Sequence, residues 1–112
     1  MLTLKAGVKP IGVQHSLLIA IETIHRTYLH YGYPCVITSL FEGKHSARSL
    51  HNRDGICRAA DFRTFHLPAT LRRVILEDFT AALRRLSPRY QAIFEPSPEH
   101  FHVEYDPAIA ES

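Results

Sequence analysis

The sequence predicts one α+β domain over residues 1–112, a small antiparallel sheet with two helices packed on it. Three observations predict this class: two segments repeat apolar residues at a helical period, short β-branched runs lie between them, and the last two segments alternate as a hairpin does. The composition, 46% apolar and 21% charged, is that of an ordinary globular chain with one core. A net charge of +2 excludes a strongly cationic nucleic-acid tail and an acidic disordered protein.

A first helix is predicted over residues 13–31, where apolar residues recur every three or four positions. Gly32 and Pro34 end this helix, and the β-branched run 35–39 then predicts a buried strand. The apolar stripe of the helix comprises Leu17, Ala20, Ile21, Ile24, Tyr28 and Tyr31.

A long polar segment, 40–58, shows neither period, and long loops inside compact domains are usually functional. Residues 59–63 return to a strand-like composition, and Pro68 opens a second helix that the Ser-Pro pair at 87–88 ends. Its apolar stripe comprises Leu71, Val74, Ile75, Phe79, Ala82, Leu83 and Leu86.

The end of the chain predicts a β-hairpin. Segments 90–95 and 100–105 alternate in polarity, and the four residues 96–99 between them include two prolines. The predicted order is therefore helix, strand, long loop, strand, helix and hairpin.

Polar side chains gather on one face of the last predicted strand. Because side chains alternate along a strand, His100, His102 and Glu104 share one face while the apolar residues between them face the core. Imidazoles and a carboxylate together on the open face of a sheet indicate a metal site. The chain has eight histidines, but the position of these two matters more than the number.

A catalytic zinc site takes three N/O protein ligands and keeps one position open, so His102 needs two partners. His51 and Asp61 are the best candidates. Asp61 lies between small and apolar residues, where an ionised carboxylate must be paired or metal-bound. The alternatives are that Asp61 pairs with Arg58 or Arg63 and that the two histidines of the last strand only face solvent.

Three motifs carry a resemblance to a known family. Ser49 with His51, the run 57–61 and the run 99–102 resemble the Ser-x-His, Gly-x-Ala-x-Asp and Glu-x-x-His motifs of the zinc D-alanyl-D-alanine peptidases. That family includes D,D-carboxypeptidases, the D,D-dipeptidases of vancomycin resistance and the L-alanyl-D-glutamate peptidases of phage endolysins. The resemblance spans roughly the whole chain, and its fold is the hedgehog/DD-peptidase fold.

The resemblance implies a set of roles. His51, Asp61 and His102 would be the zinc ligands. Glu99, in the loop just before the last strand, would be the general base that takes a proton from the attacking water and passes it to the leaving amine. His100 would lie beside the metal and stabilise the oxyanion.

Substrate contacts are implied as well. Ser39 and Ser49 would contact the substrate. The arginine that many members place shortly after the first core strand is absent, and Lys44 or Arg48 would replace it as the cation that meets a substrate carboxylate.

The chain departs from the family pattern between the first two ligands. His51 and Asp61 are ten positions apart, a longer interval than the family's, and an insertion within 52–56 accounts for it. Cys57 stands where the motif has glycine, which makes it a rival soft ligand, although a thiolate would favour a closed structural zinc site.

These observations predict a zinc metallopeptidase that cleaves an amide bond in peptidoglycan stem peptides, as a D,D-carboxypeptidase, dipeptidase or L-Ala-D-Glu endopeptidase. One alternative is a non-catalytic, zinc-stabilised binding module on the same fold. Another is a nucleic-acid binder built on the arginines of the second helix, but acidic residues interleave with them and favour a solvated face.

The remaining expectations concern partners and location. We expect a monomer that binds neither nucleic acid nor membrane. No signal peptide is visible, so a cytoplasmic enzyme is expected, with a phage-encoded lysin released by lysis and a virion protein as the alternatives.

Overall fold

A computed structural model of the chain describes residues 1–42 and 49–111. Within these ranges the chain is α+β, as predicted, and every predicted helix and strand is present. The elements are β1 (Leu2–Leu4), α1 (His15–His30), β2 (Cys35–Ser39), β3 (Ala59–Arg63), α2 (Ala69–Leu86), β4 (Tyr90–Pro96) and β5 (Glu99–Tyr105).

The five strands form one mixed sheet in the order β1-β2-β3-β5-β4. The antiparallel pairing predicted for the sheet is confirmed between β2 and β3, between β3 and β5, and between β5 and β4. Strand β1, by contrast, pairs with β2 in parallel. The sequence pattern does not predict β1, because this strand is only three residues long and exposed along its whole length, so it carries no buried alternation.

Both helices contribute a buried apolar stripe to the core. In α1 the stripe is as predicted up to Tyr28. In α2 it is narrower than predicted: Ile75, Phe79 and Leu83 are buried, whereas Val74 and Leu86 are 39% and 62% exposed. The reason is that α2 meets the sheet along one line, where the rings of Phe79 and Phe101 lie 5.4 Å apart.

The hairpin turn is tighter than predicted. Pairing continues to Pro96 and Glu99, so two residues rather than four connect the strands. Proline is tolerated here because β4 is an edge strand. Glu99 is therefore the first residue of β5, and its expected position in a loop was wrong.

The strand faces divide as alternation predicts. Phe62, Phe101 and Val103 are fully buried on the face of the sheet that packs on the helices. Asp61 and His102 lie on the opposite face, which the segment 49–58 partly covers. Neither described helix is long and apolar enough to cross a membrane.

Candidate metal centre

The centre of the site is a cross-strand pair. Asp61 of β3 and His102 of β5 are direct partners in the antiparallel register. Their neighbours Phe62 and Phe101 face the core, so the polar pair faces away from it. His102 donates a hydrogen bond from Nδ1 to Asp61 Oδ1 at 2.9 Å. Strand alternation thus explains why these two side chains meet.

His51 approaches the same carboxylate from the segment between β2 and β3. Its Nε2 lies 3.3 Å from Asp61 Oδ1, and the side chain is 5% exposed. The Nδ1 atom donates to the carbonyl oxygen of Leu40 at 2.8 Å, which orients the ring so that Nε2 faces Asp61. Leu40 is itself anchored, since its backbone N–H donates to Glu42. The spacing departure before Asp61 therefore does not keep His51 from the site.

Glu104 holds the other side of His102. Its carboxylate accepts a hydrogen bond from His102 Nε2 at 2.7 Å. Histidines that bind metals usually donate their second ring N–H to a carboxylate or carbonyl in this way. Strand alternation predicts the face of Glu104 correctly but assigns it no role, although its position two residues after a candidate ligand is a usable signal.

The electrostatics of the group are strongly coupled. Burial alone would raise the pKa of Asp61, but hydrogen bonds from His102 and His51 and their positive charge hold it well below its usual range. Burial would lower the pKa of His102, but its hydrogen bonds to Asp61 and Glu104 raise it to about 9. In the metal-free protein His102 is therefore cationic at neutral pH.

The group can hold a metal ion. One ligand atom from each of His51, Asp61 and His102 lies within 4.8 Å of the other two. Two imidazoles and one carboxylate suit zinc with a position left for water. The Leu40 carbonyl and the Glu104 carboxylate orient the imidazoles as ligands require. The donor set and its supports therefore fit a metal ion.

Cys57 does not belong to this group. The residue is fully buried in the core, and its thiol donates to the carbonyl of Ala59 at 3.3 Å. Burial raises the pKa of the thiol to about 11, so it stays protonated, and a thiol in that form is a poor ligand. The rival assignment of Cys57 as a ligand is not supported.

A cleft of about 420 Å³ opens beside Asp61 and is lined in part by Ser39, Glu99 and His100. His100 Nε2 lies 3.7 Å from Asp61 Oδ1, while its Nδ1 donates to the carbonyl of Pro98 at 2.6 Å. Ser39 is the register partner of Asp61 in β2. These expected substrate or catalytic residues therefore share one cleft with Asp61, whereas His102 lines a separate pocket with Glu104.

Glu99 also lines the cleft, but it lies on the face of β5 opposite to that of His100. Its Oε1 forms an ion pair with Arg72 of α2 at 2.7 Å. Its Oε2 is buried and has no hydrogen-bond partner in the described part of the chain. Sequence spacing alone gave no indication of this pair with Arg72.

Ser49 is not among the residues that line this cleft. Its hydroxyl accepts a hydrogen bond from the backbone N–H of His51 at 3.2 Å, which makes it a support for the ligand. Its expected contact with substrate stays a prediction. Lys44 and Arg48 lie outside the described residues.

The structure therefore brings together the three expected ligands, and Asp61 of that group shares a cleft with Ser39, Glu99 and His100. Comparisons of the chain with models of known protein families, with curated proteins and with solved structures found no match.

Proposed function

We propose that the chain is a zinc-dependent peptidase that hydrolyses an amide bond in peptidoglycan stem peptides, with a hedgehog/DD-peptidase-like fold. One observation carries the proposal: His51, Asp61 and His102 gather into one group that could hold a metal ion, and Asp61 of that group lines a cleft. These residues have the types and chain order of the ligand motifs in the zinc D-alanyl-D-alanine peptidases.

When bound, zinc acts as a Lewis acid that polarises the scissile carbonyl and makes water acidic enough to attack near neutral pH. The chain supplies orientation. The Leu40 carbonyl and Glu104 fix the rings of His51 and His102. His100 lies at the cleft with its Nδ1–H donated to the Pro98 carbonyl, so it is as an imidazolium that its Nε2–H can donate a hydrogen bond to the developing oxyanion.

Glu99 is the proposed general base. Its Oε1 is held by Arg72, and the residue lines the cleft, where its carboxylate would accept the proton of the attacking water. The same carboxyl then passes that proton to the leaving amine. Arg72 positions the carboxylate at the cleft in this scheme.

The second candidate, a zinc-stabilised binding module without catalysis, is favoured by that same ion pair. A carboxylate held by an arginine on the helix side of the sheet can serve structure alone, because an ion pair with 26–30% exposed side chains fixes β5 to α2. The two candidates agree on the metal and differ on turnover.

The test combines metal analysis with peptide hydrolysis. After dialysis, the purified chain should hold about one zinc per molecule. Incubated with a synthetic stem peptide ending in D-Ala-D-Ala, it should release products visible by mass spectrometry. His102→Ala should lose both metal and turnover, while His30→Ala, at an exposed position of α1, should lose neither. Bound zinc without hydrolysis of any stem-peptide bond would favour the second candidate.

A further inference from the structure

Strand β4 lies at one edge of the sheet and pairs only with β5 among the described strands. We propose that this edge is a homodimer interface. Two copies of the chain join antiparallel along β4, about a two-fold axis at Ile93, and their sheets become one. The proposal is independent of the peptidase proposal, and the dimer replaces the monomer that the sequence led us to expect.

The middle of β4 is apolar on both faces of the sheet. Ile93 is the register partner of His102 and shares its face, whereas Phe94 lies on the helix face opposite Phe101. The two side chains are 50% and 36% exposed. Edge strands usually carry charges, prolines or bulges that prevent pairing with another chain. An apolar centre is instead typical of a strand that a neighbour covers.

The register shows which backbone groups of β4 point outward. In β5 the N–H of Tyr105 donates to the carbonyl of the residue before β3 at 2.9 Å, so Tyr105 directs its backbone groups away from β4. Because these groups alternate along an antiparallel strand, His102 directs its own to β4, where Ile93 is the partner. The N–H and C=O groups of Ala92 and Phe94 therefore point away from the sheet.

A two-fold axis at Ile93 pairs these groups with each other. Ala92 of one copy opposes Phe94 of the other, and each such pair exchanges two backbone hydrogen bonds. Ile93 opposes its own copy at a non-hydrogen-bonded position, where side chains lie closest. Pro96, which lacks an N–H, opposes Tyr90 at the ends of the paired segment, so the central pairs keep all their donors.

The same register brings opposite charges together. It places Glu95 opposite Gln91 of the second copy, and the side chain of Gln91 accepts a hydrogen bond from Arg84 of α2 at 3.1 Å. Neither Glu95 nor Arg84 forms an ion pair within the described part of the chain. The symmetry forms this contact twice. The strand is therefore its own complement, which favours a second copy over a chain of another sequence.

The dimer would also extend a pocket beside the metal-binding group. A pocket of about 200 Å³ is lined in part by Gln91, Ile93, His102 and Glu104. Because opposed residues of an antiparallel pair share a face, Ile93 of the second copy lies on the same side of the sheet. It would continue the wall of the pocket away from β5, and both metal-binding groups would lie on one side of the dimer.

Cysteine crosslinking tests the register. In Ile93→Cys the two thiols meet at the axis, where the Cα atoms of a non-hydrogen-bonded pair lie about 4.5 Å apart, within the range of a disulfide. With oxidised glutathione this variant should form a covalent dimer on a non-reducing gel. The native Cys35 and Cys57 are buried and should remain reduced.

Glu95→Cys is the matched control for the crosslink. Glu95 lies on the same face of the same strand, two residues further along. In the proposed register its two copies are more than about 13 Å apart, too far for a disulfide. Glu95→Cys should therefore stay monomeric on the same gel.

Sedimentation velocity measures association without a crosslink. An interface made by one pair of strands is small, so we expect a monomer–dimer equilibrium in the micromolar range. Ile93→Lys should weaken it at least about tenfold, because two ammonium groups would meet at the axis. Leu29→Lys, at a 59% exposed position of α1, should leave it unchanged.

Two further variants test the hydrogen bonds and the charges. Ala92→Pro removes an N–H that points outward, so it should weaken the dimer while thermal melts show a folded chain. Ile93→Lys keeps the test valid if Ala92→Pro unfolds. Arg84→Glu should weaken the dimer, and Glu95→Lys added to Arg84→Glu should restore it because the exchanged charges attract again.

Three results would overturn the interface. The first is a chain that stays monomeric up to about 1 mM. The second is crosslinking of Glu95→Cys as fast as that of Ile93→Cys. The third is a dimer that survives Ile93→Lys but is lost in Leu4→Lys, which would place the contact at the opposite edge, β1. Zinc content and peptide hydrolysis do not enter these measurements, so the peptidase proposal stands or falls separately.

Discussion

His102 lies between two carboxylates, and the one that no motif identifies, Glu104, is the closer: its Oε1 is 2.7 Å from His102 Nε2. The two residues are i and i+2 of one strand, so they share a face. The hydrogen bond fixes the ring so that Nδ1 faces Asp61 at 2.9 Å. Glu104 is thus placed to orient a metal ligand without being one.

Glu104→Gln should weaken metal binding by about 10–100-fold, as losses of such supporting carboxylates typically do. The amide keeps the size of the side chain but removes the charge that makes the imidazole basic. Competition with a chromogenic chelator measures the affinity, and Glu77→Gln on the exposed side of α2 is the control. An unchanged affinity would mean that Asp61 alone orients His102.

The metal-free protein should lose stability as the pH rises. His102 has a pKa of about 9 in the folded chain against an ordinary 6.5, so its protonated form stabilises the fold. This contribution is fully present below pH 6.5 and is lost as the pH rises toward 9. At about 1.4 kcal/mol per pKa unit it is worth at most about 3 kcal/mol. Denaturant melts across this range, with chelator present, measure it.

Asp61, the partner of His102, should make the stability of the fold depend on pH at the acid end of the range. The pKa of Asp61 is lowered in the folded chain, so its stabilising contribution is present above the ordinary value of 3.8 and is lost as the pH falls below it.

His102→Gln should flatten the loss of stability at alkaline pH in the metal-free chain. With zinc present the slope should reverse between pH 6.5 and 9, because protons compete with the metal at His102. Matching slopes with and without chelator would contradict the metal site.

The sequence was enough to predict both helices, the four longer strands and the group of His51, Asp61 and His102 that could hold a metal ion. Period 2 in the last strand separates His102 from Phe101, and that separation is local information. The approach of His51 to Asp61 was expected from the residue type and from the resemblance, because a loop without a period has no local signal for its path. Burial and backbone hydrogen bonds decide that path.

The features that the sequence pattern does not predict depend on contacts between distant segments. The short strand β1 is recognisable only through its pairing with β2, and with it came Lys5 at the cleft. The ion pair of Glu99 with Arg72 requires the packing of α2 on the sheet, which no spacing between the two residues encodes. The hairpin turn was misjudged because two prolines indicated a longer loop than the edge strand needs.

Glu99→Gln should keep the metal and reduce turnover by about 10²–10⁴-fold, the typical contribution of a general base. The amide preserves the size of the side chain and its contact with Arg72, but it cannot accept the proton of water. Zinc content and stem-peptide hydrolysis, measured on the same sample, separate the two effects. Wild-type turnover in this variant would transfer the role to Glu95 or His100.

The segment that carries His51 depends on close backbone packing at Gly12. Gly12 has φ +62°, and a Cβ added there would lie 2.3 Å from the carbonyl oxygen of Gly55. The adjoining backbone is paired with the same segment, because Cys57 N–H donates to the Gly12 carbonyl at 2.8 Å. Any side chain at Gly12 must therefore displace the loop that positions His51.

Gly12→Ala should destabilise the chain by more than Gly7→Ala, which is the matched control. Gly7 also has positive φ, +89°, but a Cβ there would meet nothing within 4 Å. Both variants carry the cost of about 1–2 kcal/mol for a left-handed backbone, and only Gly12→Ala adds the clash. Thermal melts of the metal-free chain measure the difference.

Because the clash moves the loop that holds His51, Gly12→Ala should also weaken zinc binding, whereas Gly7→Ala should not. Equal melting temperatures and equal zinc affinities for the two variants would show that this loop tolerates displacement without disturbing the ligand.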